Sequence, residues 1–107
     1  MRIHRILCLG AALLLPTLLL AKLPFSNDAF GRVEATLDSC TQADPAGAPK
    51  YQERKKALVK DASEKEVAEA RGSQEYKDAY DATTTEIGKQ PKDKVVEACT
   101  AFLKGDK

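Results

Sequence analysis

Histidine, methionine and tryptophan are nearly missing from this 107-residue chain, which has one His, one Met and no Trp. Both Met1 and His4 lie in the first five residues, ahead of an apolar run from Ile6 to Ala21. Residues 22–107 therefore lack the commonest general base and the commonest transition-metal ligand. Ser-His-Asp and Cys-His catalysis within that stretch are excluded, and Cys40 and Cys99 alone do not complete a tetrahedral zinc site. The six glycines (10, 31, 47, 72, 88 and 105) stand singly, so no glycine-rich phosphate loop exists. Charge of one sign is also lacking. Residues 22–107 carry 15 basic and 16 acidic side chains with the signs interspersed. There is no basic stripe for nucleic acid and no acidic tail. Large apolar side chains are few: 13 Val, Ile, Leu or Phe in those 86 residues, beside 13 Ala. A large enzyme core, several domains or a polytopic membrane protein are excluded. What remains is a small domain near the lower limit of what an apolar core stabilises alone.

What is present begins with an address. Arg2, His4 and Arg5 precede the apolar run, the layout of a secretory signal peptide. As a helix the 16 apolar-run residues reach roughly 24 Å, short of the ~30 Å hydrocarbon core. Residues 1–21 are expected to be a signal peptide cut after Ala21, although Leu19 stands where a small residue is usual. Cys8 follows Arg5-Ile6-Leu7 rather than small residues, so it reads as an apolar member of the signal and not as a lipidation site. Residues 22–107 are then one small helical domain, periplasmic or secreted, without stable membrane insertion.

Cys40 and Cys99 are an even pair in an exported small domain, the composition of a disulfide. Phe30, Val33, Leu37 and Cys40 share one helical face, as do Val95 or Val96, Cys99 and Phe102 or Leu103. A bond between the cysteines clamps the first helix to the last. Its loop of about 60 residues corresponds to about 4 kcal/mol in the chain-entropy account. A redox-active pair is disfavoured, because catalytic dithiols usually sit close together as C-x-x-C.

The rest of the chain reads as helices and no useful strand alternation. Ser26 or Asn27 caps a helix over about 28–42, and Pro45 and Pro49 bound a loop over 43–49. A second helix is expected over 49–62, with Tyr51, Leu58 and Ala62 inward and Gln52, Glu53, Lys56 and Lys60 outward. Ser63-Glu64-Lys65-Glu66 fits a capping box, and Gly72-Ser73 is a second candidate break. Gly88 ends the following helix and Pro91 opens the last, to about Lys104. The fold class is all-α: a small bundle of four helices, or five where Ser63 or Gly72 splits the middle.

Three constellations have bland explanations. Tyr51 and Lys55 have the spacing of a proton-transfer pair, but no nucleotide fold surrounds them; a core-edge Tyr and a solvated Lys suffice. Glu75, Asp78 and Asp81 form an acidic stripe without the further oxygen ligands a hard cation needs. Tyr76 and Tyr80 lie one turn apart; core packing is favoured, yet they are the best candidate partner surface, with the 43–49 loop second. No catalytic residue, metal site or cofactor is expected. The functional expectation is a non-enzymatic protein-binding or accessory protein, such as an inhibitor or immunity-type protein, whose partner is another protein. The alternative is a periplasmic acid-stress chaperone, because protonating 16 carboxylates while 15 basic groups persist would open the fold near pH 3–5.

Overall fold

The computed structural model describes residues 23–105. The expected signal peptide, Cys8 and the cut after Ala21 lie outside those residues. The chain forms α1 (Asn27–Ala43), a short 3₁₀ turn (Pro45–Gly47), α2 (Ala48–Leu58), α3 (Glu64–Gly72), α4 (Gln74–Gly88) and α5 (Lys92–Gly105). Among the described residues there is no strand, and none of the helices is long and apolar enough to cross a membrane. Among the described residues the fold is all-α with five helices, and Cys40–Cys99 joins the first of these to the last.

Local chemistry sets the helix ends. The Ala29 N–H donates to Ser26 Oγ at 3.1 Å, and Asp28 lies in the positive first turn of α1. Both proposed breaks in the middle are real. Ser63 and Glu66 form the reciprocal capping box, each backbone N–H donating to the other's side chain at 3.0 Å. Ser73 serves two helices: its hydroxyl donates to the Ala70 carbonyl at 2.7 Å and accepts from the Tyr76 N–H at 3.2 Å. It thereby closes α3 and opens α4.

The second helix is shorter than its sequence suggests. It stops at Leu58 instead of reaching Ala62. Ser63 must be extended to cap α3 (φ −75°, ψ 160°), so the chain leaves the helix through a turn over 59–61. Ala62 still packs inward from the turn's end.

α1 is the hub. It packs most extensively on α4, then on α2, and less on α5. The α1–α4 approach depends on Gly31, where an added Cβ would stand 2.5 Å from the Tyr76 carbonyl oxygen. Two apolar clusters flank the hub. Phe30, Val67, Ala70 and Tyr76 form one; Leu37, Cys40, Tyr51 and Cys99 form the other, with Leu58 touching both. At the C-terminal end Leu103 turns inward while Phe102 stays 45% exposed.

Candidate functional site

Two features lie against α1. The first is a ladder of polar cross-links. Glu34 falls inside the apolar stripe of α1, between Phe30 and Leu37, and is 0% exposed. A buried carboxylate is costly unless paired and hydrogen-bonded. Arg71 of α3 supplies both: its Nε donates to Glu34 Oε1 at 2.9 Å and its Nη2 to Oε2 at 2.6 Å. Tyr76 of α4 donates its hydroxyl to the same Oε1 at 2.5 Å.

One turn further along α1, Asp38 repeats the pattern. It accepts from Lys55 Nζ of α2 at 2.8 Å and from the Tyr80 hydroxyl of α4. Gln52 Nε2 donates to Thr41 Oγ1 at 2.8 Å beside it. Glu34 and Asp38, four apart on α1, thus match Tyr76 and Tyr80, four apart on α4. Among the described residues no buried side-chain polar atom lacks a partner.

The ladder sets the local proton affinities. Burial alone would push Asp38 up, but hydrogen bonds from Lys55 and Tyr80 and the Lys55 charge outweigh it and hold the carboxyl below its usual range. Burial and the Asp38 hydrogen bond push the Tyr80 hydroxyl up to about 12. Burial and Glu34 push Tyr76 higher still. Hydrogen bonds from Arg71 to Glu34 raise the guanidinium further, fixing it in its charged form.

These contacts place the residues singled out in the sequence. Tyr76 is 9% exposed and Tyr80 half-buried, and both hydroxyls are spent on α1 carboxylates. As a pair they offer a partner little surface. Gln52 points at α1 instead of solvent. Tyr51 is wholly buried and donates its hydroxyl to Asp44 Oδ2 at 2.8 Å, while Lys55 is held by Asp38. Tyr51 and Lys55 are therefore engaged with different carboxylates. Among the described residues, Glu75, Asp78 and Asp81 do not gather into a candidate metal group. Glu34 and Asp38 escaped the sequence reading, although an acid inside an apolar helical stripe is itself the signal of a buried partner.

The second feature is a groove of about 600 Å³ between α4 and α5, backed by Thr36 and Cys40 of α1. Its walls are largely apolar: Ala82 and Ile87 on α4, Val95, Ala98 and Phe102 on α5, with Cys99 at the disulfide. Among the described residues that line it, Glu86 and Lys94 are the charged ones, one on each side. The groove exists because α4 and α5 both lean on α1 and pack little on each other. Arg54 of α2 stacks over the Phe102 ring at 4.9 Å and steadies it where it is exposed. The threonines at 83–85 remain helical in α4, and Thr83 faces the groove. Sequence patterning could not reveal this gap, because it depends on how two helices splay from a third.

No protein-family model, curated protein or solved structure matches the chain.

Proposed function

We propose that this chain is an exported, non-enzymatic accessory protein that holds another protein, in the manner of an inhibitor or immunity-type protein. The observation that carries the reading is the apolar groove between α4 and α5. The α4 wall runs from Ala82 to Ile87 with Gln90 just beyond the helix end, and the α5 wall runs nine residues, Lys94 to Phe102, which is about 12 Å of axial rise. That length suits two turns of an amphipathic helix laid in by its i, i+3, i+4 and i+7 side chains. The occupant we assign is such a helix on a partner protein, with one acidic and one basic side chain flanking its apolar stripe to meet Lys94 and Glu86. The ladder on the other side of α1 supports the same reading, because its groups are committed to one another and hold the scaffold rigid.

A photo-crosslinking side chain at Ala98, in the groove, tests this in the producing cell against the same group at Glu64, which is exposed on α3. One defined protein, identified by mass spectrometry and joined from Ala98 alone, supports the reading. No adduct, or the same adducts from both positions, contradicts it.

A second reading, an acid-stress chaperone, is favoured by a separate observation. The α1–α4 interface is bridged by the Asp38 carboxylate, whose protonation would strand Lys55. That reading requires the chain to open at pH 3 and to suppress aggregation of a denatured client there. A chain that stays folded at pH 3 excludes it.

A further inference from the structure

The groove has one wall that is barely attached. α5 spans 14 residues, and Cys99 is its single buried residue. Val95 and Leu103 are half-buried against the second apolar cluster, and Arg54 Nη2 reaches the Leu103 carbonyl at 3.4 Å. Backbone to backbone, α5 lies close to α1, and beyond that it meets α2 where Arg54 covers Phe102 and reaches Leu103. The link from α4, residues 89–91, is exposed throughout. By contrast α4 is fixed to α1 by close backbone approach at Gly31, by Tyr76 and Ala79 in the core and by two carboxylate cross-links. The two walls therefore differ in what holds them. Packing and the ladder hold α4; the cystine, with Val95, Leu103 and the Arg54 contact beside it, holds α5.

We propose that Cys40–Cys99 is a latch for the binding groove: α5 docks, and the groove exists, only in the oxidised chain. Latching is a thiol–disulfide exchange. The Cys40 and Cys99 thiols give up two protons and two electrons and form the S–S bond, while the S–S bond of a disulfide oxidant breaks and is recovered as two thiols. A dithiol reductant runs the reaction backwards. The reduced chain keeps α1 to α4 and lacks one groove wall, so partner binding is confined to a compartment where thiols are oxidised. The functional consequence rests on the groove reading above; the structural claim does not.

Amide hydrogen exchange read by mass spectrometry separates the two. The full chain is compared oxidised, reduced with dithiothreitol, and as the Cys40→Ala/Cys99→Ala double variant. The latch predicts that amides of 92–105 exchange at least about tenfold faster in both unbonded forms, while those of α1 and α4 keep their protection. Equal loss of protection across all five helices would show a staple of the whole fold and overturn the latch. Unchanged protection of α5 would overturn it as well. No partner is involved, so a failed latch leaves the groove reading standing. A latch that holds beside failed crosslinking removes that reading alone.

Discussion

Glu34 and Arg71 meet through two hydrogen bonds, at 2.9 and 2.6 Å, with the Glu34 side chain wholly buried and the Arg71 side chain 42% exposed. The asymmetry sets the energetics. Arg71 keeps part of its hydration, while Glu34 has exchanged all of its water for Arg71 and Tyr76. Removing Arg71 leaves Glu34 buried with the Tyr76 hydroxyl but without its counter-charge. Arg71→Ala is expected to lower stability by about 3 kcal/mol, the low end for a broken buried pair because one partner is half-exposed. Urea denaturation followed by circular dichroism measures this. A cost below about 1 kcal/mol would reduce the pair to an ordinary surface bridge.

Gly31 is expected to behave against helix propensity. Alanine in a helix interior usually gains about 0.5–1 kcal/mol over glycine. Here the new methyl would stand 2.5 Å from the Tyr76 carbonyl oxygen, and backbone must move to admit it. Gly31→Ala is expected to cost about 1–3 kcal/mol by overpacking. Gly72→Ala is the control, because no atom lies within 4 Å of its added Cβ. Thermal unfolding of both variants reads the contrast.

Asp38 gives the fold a dependence on acid. Its carboxyl is held below the ordinary 3.8, so the folded state favours the charged form. The unfolded chain then takes up the proton first. The contribution of Asp38 is complete above the unfolded value and is lost as pH falls through the lower folded value. Stability should therefore decline below about pH 4, and Asp38→Asn should flatten that limb while lowering stability at neutral pH. Denaturation midpoints of both chains between pH 2 and 7 supply the comparison.

Much of this architecture is legible residue by residue. Ser26, the Ser63–Glu66 capping box, Ser73, Gly88 and Pro91 mark helix ends through local hydrogen bonding and backbone limits. The 3-4-3 spacing of Phe30, Val33, Leu37 and Cys40 places the first cysteine inward, and the disulfide follows. Legibility fails where the answer lies in a second helix. Glu34 inside the apolar stripe signals a buried partner, but nothing local to α1 names Arg71, 37 residues later, as that partner. Tyr76 and Tyr80 read as core residues first and interface anchors second, but the α1 carboxylates that take their hydroxyls are named only by the fold. Phe102 and Leu103 are equivalent in periodicity, and only the tilt of α5 decides which faces in.

The groove carries the functional account, and Ala98 is the place to close it. Ala98 is exposed and lines the α5 wall, so a longer charged side chain there should fill the groove without disturbing the core. The direct measurement is calorimetric titration of the protein captured from Ala98 into the unmodified chain and into Ala98→Glu. The account predicts at least about a 100-fold loss of affinity, the size of an interface hot spot, with the thermal midpoint unchanged. Equal affinity for both chains would contradict it.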